Sequence, residues 1–195
     1  MTSTPNFIDL SDEALVPHCY NSTDAFTVLM ERYEKKLFRY IGRIANFSEA
    51  ENEEILQEVF LKCWQNIRGF STKLKFSSWI YRITHNLTID QYRKQKNHQT
   101  MSLDEQENLI PKSALQSFDE AFDAKINQHQ IAQVLEAIPV KEREILVLFF
   151  LEEKSYSEIM DILQVPKSIV ANRLARAKQR FAQTAASLAI KFDLE

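Results

Sequence analysis

Two glycines, Gly42 and Gly69, are all that 195 residues contain. Strands joined by tight hairpins need turn residues at positive φ, and glycine supplies most of them. A chain this poor in glycine fits long helices joined by polar loops. The apolar pattern agrees. Phe26, Leu29, Met30, Tyr33, Leu37, Tyr40, Ile41 and Ile44 fall on one helical stripe. Ile55, Leu56, Val59, Phe60, Cys63 and Ile67 form a second, and Phe76, Trp79, Ile80, Ile83 and Leu87 a third. Ahead of them, "LSDEALVPHC" starts a short helix capped by Ser11, with Asp12 and Glu13 in its first turn and Pro17 set to cut it short.

From about Gln99 to Phe122 the periodicity fades into the polar "MSLDEQENLIPKSALQS". It returns at Ile131, Val134, Leu135 and Ile138, then in the all-round apolar run "ILVLFFL" of a buried helix. No stretch reads convincingly as a strand. The expected fold is all-α: two small helical domains, 1–98 and 125–195, joined by a flexible acidic linker at 99–124. The opening "MTSTPNFIDLSDEAL" has no basic apolar leader and no apolar run reaches the length of a membrane span, so a soluble cytoplasmic protein is expected. Cys19 and Cys63 lack metal or redox spacing and read as buried small apolar side chains.

The net charge of −3 argues against nucleic acid, but its distribution argues the other way. Between Trp64 and His98 lie seven cations and one acid, and between Val165 and Ala182 five cations and none. Thr100 to Ala124, in contrast, holds six acids and one lysine. Local patches set the field that a phosphate backbone meets. In "FSSWIYRITHNLTIDQYRKQK" the cations interleave with aromatics, which is what an unpaired nucleic-acid strand requires. Solvated helix faces would show the same charges.

A short helix capped by Ser155, the break "QVP" and a basic helix make a helix-turn-helix pattern. Tyr156, Ile159 and Leu163 would pack the first helix, Val165 would plug the turn, and Pro166 would start the second. The second presents Lys167, Ser168, Ala171, Asn172, Ala175, Arg176 and Gln179 outward. Asn and Arg can pair with purine edges in the major groove, while Arg173, Lys178 and Arg180 suit phosphates. Any three-helix bundle can imitate this spacing.

"EEILQEVFLKCWQNIRGF" followed by "KFSSWIYRITHNLTIDQYRKQK" resembles the second conserved region of bacterial sigma-70 factors. "IPVKEREILVLFFLEEKSYSEIMDILQVPKSIVANRLARAKQRF" resembles their fourth. The resemblance runs from about Leu10 to Phe181, and the two domains without a third region are similar to the extracytoplasmic-function (ECF) group. One departure stands out. Where the family shows Gly-Thr-Val-Lys-Ser, this chain has Ser168-Ile169-Val170-Ala171-Asn172, so Ala171 removes a cation from the groove face.

The resemblance implies a non-catalytic job: binding core RNA polymerase, recognising −35 and −10 promoter elements and promoting their opening. It implies polymerase contacts at Glu54, Gln57, Glu58, Leu61 and Trp64. It implies −10 contacts at Phe70, Ser71, Thr72, Lys75, Arg82, Asn86, Arg93 and Lys94. Lys167, Ser168, Asn172, Arg173, Arg176 and Lys178 would engage the −35 element as duplex. The implied partners are core polymerase, promoter DNA as duplex and opened strand, and an anti-sigma factor, through which alone the chain would meet a membrane. No cofactor is implied. His18, His85, His98 and His129 are scattered and give no metal site. The alternative reading is a helix-turn-helix regulator that binds duplex DNA without polymerase; it leaves the first domain's motifs unexplained.

Overall fold

The computed structural model describes residues 7–97 and 128–190, so the linker read at 99–124 lies outside the described residues. The regular elements among the described residues are helices, with no strand among them. The chain divides into two units, Met1–Gly42 with Phe47–Gln91, and Arg43–Asn46 with Tyr92–Glu195.

The first unit carries a 3-10 turn at Phe7–Asp9, α1 (Asp12–Cys19), α2 (Thr23–Ala45) up to Gly42, α3 (Glu49–Asn66), a second 3-10 turn at Ile67–Gly69, and α4 (Phe76–Asn97) up to Gln91. Its helix starts are written in side chains. Ser11 accepts from the Ala14 amide at 3.3 Å, and Ser22 from Ala25 at 3.2 Å. Ser48 and Glu51 close a capping box at α3. Pro17 does not end α1 on the spot; the helix runs on to Cys19. Gly42 has a packing reason: a Cβ there would lie 3.1 Å from the Asn52 amide nitrogen, so α2 and α3 approach closely at this point.

The expected stripe of α2 is buried from Leu29 to Ile44, with Phe26 only partly covered. In α4, Phe76, Ile80 and Leu87 are buried as the periodicity requires, but so are Ser78, Tyr81, Thr84 and Thr88. The buried face of α4 is therefore wider than its apolar stripe. Tyr81 meets Tyr40 edge-on, with centroids 5.1 Å apart. The threonines satisfy their hydroxyls inside the helix: Thr84 donates to the Ile80 carbonyl at 2.9 Å and Thr88 to Thr84 at 2.8 Å.

Burial pushes the Cys19 thiol up to about 11, and that of Cys63 up as well. Both stay protonated at neutral pH and are poor nucleophiles. Iodoacetamide is expected to label neither in the native protein and both after unfolding. Mass spectrometry showing prompt native labelling would contradict their burial.

The second unit carries α5 (Gln128–Ala137), α6 (Val140–Leu146) continued by a π-helical turn (Val147–Leu151), α7 (Tyr156–Leu163) and α8 (Lys167–Ser187). Ile145, Leu146, Val147 and Leu148 are fully buried, while Phe149, Phe150 and Leu151 are partly covered. Val134, Leu135 and Ile138 from α5 and its end, Ile159 and Ile162 from α7, and Val170, Leu174, Ala177 and Phe181 from α8 complete the core. The Arg143 guanidinium closes the end of α5, donating to the Glu136 carbonyl at 2.9 Å and the Ile138 carbonyl at 3.1 Å.

A capping box of Ser155 and Glu158 starts α7, and Gln164 ends it at φ 55°, in the left-handed region. A side chain costs energy there that glycine avoids. Gln164→Gly is expected to raise stability by about 0.5 kcal/mol, and Gln164→Val to lower it by about 1–2 kcal/mol. Urea titration of the two variants checks the difference.

Candidate nucleic-acid and partner interfaces

On α3, the residues at positions 54, 57, 58, 61 and 64 recur every three or four residues, so they share one face. All five side chains are exposed. Leu61 keeps 55% of its surface and Trp64 41%, which makes them the conspicuous apolar groups of that face. Glu58 pairs with Lys62 at 3.4 Å, and the Trp64 ring meets Phe26 edge-on at 4.9 Å. The result is an exposed apolar pair, its indole braced from behind, bordered by carboxylates. Such a face suits a partner with an apolar patch rimmed by cations.

The loop between the second 3-10 turn and α4 holds Ser71, Thr72, Lys73, Leu74 and Lys75, all exposed. Phe70, expected beside them as a base contact, is 6% exposed. Its ring packs against Phe76 at 5.5 Å and Trp79 at 5.2 Å, so it offers no free face to a base and instead anchors the loop. The periodicity of α4 begins at Phe76, and nothing in the sequence tells whether the ring six residues earlier folds back onto it. Trp79 contacts Phe76 at 5.6 Å and is partly covered, consistent with a packing role.

Along α4, Lys75, Arg82, Asn86 and Arg93 lie within a narrow arc of the helix, with Lys94 to one side. Asn86, Arg93 and Lys94 are exposed and Arg82 partly so. A cationic strip thus runs from the loop down the helix. Leu74, at 54% exposure, is the residue that sequence reasoning passed over. Its signal was present: an apolar residue flanked by two lysines in a polar loop.

In the second unit, the turn from α7 to α8 is built as the spacing requires. Pro166 precedes the first residue of α8, and Val165 donates to the Met160 carbonyl at 3.3 Å. Lys167, Ser168 and Asn172 are exposed at the start of α8, and Arg173 and Arg176 are partly covered. Ser168, Asn172 and Arg176 follow one another every four residues along the outward face. Lys178 departs from expectation. It is buried, with its ammonium 5.1 Å from the Phe150 ring centroid and 5.9 Å from that of Phe149. Position 178 is four residues after Leu174 and three before Phe181, beside the buried stripe, and two ring faces hold the charge there. It is not presented to a phosphate. Arg180 is likewise engaged, 3.2 Å from Glu142.

Comparison with known proteins bears on both units. The model of Sigma-70 region 2 matches residues 29–98, and that of Sigma-70, region 4 matches residues 128–181. The chain is 31% identical over 170 residues to the ECF RNA polymerase sigma factor SigW of Bacillus subtilis, covering 80% of this chain and 86% of that protein. It is 26% identical over 178 residues to the ECF RNA polymerase sigma-E factor of Escherichia coli K12, covering 87% and 92%. Among solved structures, CnrH in complex with the cytosolic domain of CnrY shares the fold with a TM-score of 0.67 at 19% identity, over 90% of this chain and 97% of that one. The sigma factor RpoE in complex with the anti-sigma factor NepR, from Bartonella quintana, does so at 0.59 and 16% identity, over 78% and 91%.

Proposed function

This chain belongs to the sigma-70 family, in its ECF group, and on that footing we propose how its surfaces divide the work of a sigma factor. The exposed face of α3 (Glu54, Gln57, Glu58, Leu61 and Trp64) docks on core RNA polymerase. The loop Ser71–Lys75 and the strip Arg82, Asn86, Arg93 and Lys94 hold the −10 element as it opens. Lys167, Ser168, Asn172, Arg173 and Arg176 meet the −35 element as duplex. The observation that carries this division is the contrast between the exposed faces of α3 and α4. An exposed Leu–Trp pair among acids lies on α3, while a cationic strip lies on α4.

No nucleotide need be hydrolysed for this task. The free energy for opening comes from binding the opened strand, through charge on its phosphates and contacts to its unstacked bases. The chain then acts without catalysis of its own. No helix among the described residues is long and apolar enough to cross a membrane, and the working place proposed is the cytoplasm. The solved complexes of CnrH with CnrY and RpoE with NepR support an anti-sigma partner for this chain as well.

Domain limits follow the same proposal: 1–98 for polymerase and −10 DNA, and 125–195 for the −35 element. Binding of the full-length protein to purified core polymerase tests the reading, and no binding at micromolar concentrations would overturn it.

Arg93→Ala is expected to weaken holoenzyme binding to a bubble-containing duplex at every sequence tested, and to reduce the slope of log affinity against log salt by about 0.7–0.9. A change confined to one base would assign Arg93 to base recognition instead.

A further inference from the structure

The matched region 2 begins at residue 29, so α1 lies before it. Yet α1 holds two other helices with adjacent carboxylates. Asp12 pairs with Arg32 of α2 at 2.6 Å and accepts a hydrogen bond from the Tyr33 hydroxyl. Arg32 in turn donates to the Phe7 and Ile8 carbonyls, at 3.2 and 2.9 Å. Glu13 reaches across the unit instead and accepts from the Phe76 amide, the first of α4, at 2.9 Å.

That bond ends the loop Ser71–Lys75. A helix start leaves its first amides without intrahelical partners. Lys75 carries no side-chain acceptor with which to cap α4, although its carbonyl accepts from the Trp79 amide at 3.3 Å. The acceptor comes from 63 residues upstream.

The loop is therefore fixed at both ends. At its entrance the Phe70 amide donates to Ile67 at 3.1 Å and the Phe70 ring sits in the aromatic cluster. In its middle Leu74 donates to the Ser71 carbonyl at 2.9 Å, which makes a turn. At its exit stands Glu13.

We propose that Glu13 is the positioning residue of the −10 loop: from α1 it fixes the start of α4, and thereby the geometry with which Ser71–Lys75 discriminate an opened base. The inference rests on the assignment of that loop to the opened strand. A loop held only at Phe70 would have to be ordered by each base that it meets, at an entropic cost that blunts discrimination. The carboxylate also occupies the anion-attracting end of α4, which directs phosphates away from it and along Arg82 and Arg93.

The test uses holoenzyme reconstituted from full-length protein and core polymerase. The probe is a pool of duplexes with a short unpaired segment of randomised sequence. Enrichment at each position is read by sequencing, and core affinity is measured in parallel. Glu13→Ala is expected to lower the preference at one base by about tenfold, as for a displacement of a recognition loop, with core affinity kept within about twofold. Glu13→Gln retains an acceptor oxygen of the same reach and is expected to restore the preference. Glu13→Asp retains the charge but is one methylene short, and is expected to behave like alanine.

The Phe76 amide is expected to exchange with solvent faster in Glu13→Ala and Glu13→Asp than in Glu13→Gln. If Glu13→Ala does not fold, the Asp and Gln variants carry the comparison. Undiminished preference in the Asp or Ala variant overturns the positioning role, as does loss in Gln equal to that in Ala. If wild-type holoenzyme selects no base in the unpaired segment, the assignment of the loop itself falls, and the positioning role with it.

Discussion

Leu61→Glu is expected to weaken binding to core RNA polymerase by on the order of a hundredfold, about 3 kcal/mol, while leaving the thermal midpoint nearly unchanged. The side chain keeps 55% of its surface on α3, so the first unit gains little from its burial. The free protein exposes an apolar group that water disfavours, next to an indole already braced against Phe26. A partner that covers both recovers that cost, and a carboxylate in Leu61's place would have to be desolvated in the contact. Glu58→Lys acts on the rim and is expected to do less, mainly by slowing association. Calorimetric or fluorescence titration against core enzyme measures both. Leu61→Glu binding as tightly as wild type would place the polymerase contact on another face.

The second large effect is on stability. Phe76→Ala is expected to cost about 4 kcal/mol, a large share of the roughly 5–15 kcal/mol that holds a domain folded. Phe76 is fully buried and forms the centre of a ring cluster with Tyr33 at 5.5 Å, Phe70 at 5.5 Å and Trp79 at 5.6 Å. Its removal leaves a cavity that rigid aromatic neighbours cannot fill by small shifts. Phe76→Leu should lose less than half as much, because it keeps most of the volume. The loop ahead of α4 loses its anchor in the same step, since Phe70 packs on this ring. Urea unfolding followed through the tryptophans checks the first claim. A loss below about 1 kcal/mol for Phe76→Ala would show that the cluster contributes little.

Much of this architecture was legible because helical periodicity reports burial directly. The stripes of α2 and α3 follow from spacing alone, and so do the caps Ser11 and Ser155, whose signal is local. The turn between α7 and α8 was legible for the same reason, through Ser155 and Pro166. What escaped was non-local or ran against residue type. Phe70 lies outside any periodic window, and its place depends on the path of a loop. Lys178 lies beside the buried stripe, but a lysine is expected outward, and the two phenylalanine rings at the π-helical turn that hold its ammonium come from a distant stretch of sequence.

Thr84 and Thr88 were passed over because a threonine that bonds its own helix can be buried at little cost. Glu13 could not have been found from sequence. It read as a first-turn acid of α1, a sufficient local account, while its partner is the amide of Phe76. Of the surfaces, the α3 face and the cations of α4 were visible as exposed residue types at helical spacing. Their division between polymerase and DNA came from the family resemblance.

As a sigma factor, this protein confers promoter-specific opening on a polymerase that lacks it. The direct measurement is initiation by purified core enzyme on genomic DNA of the organism that carries this gene, with and without the protein. Unpaired thymines are mapped by permanganate and transcript starts by sequencing. New starts that depend on the protein are expected, each preceded by a melted segment that shares a common sequence. Binding of the protein to DNA fragments with no melted segment and no transcript, in the presence of active core enzyme, would contradict it.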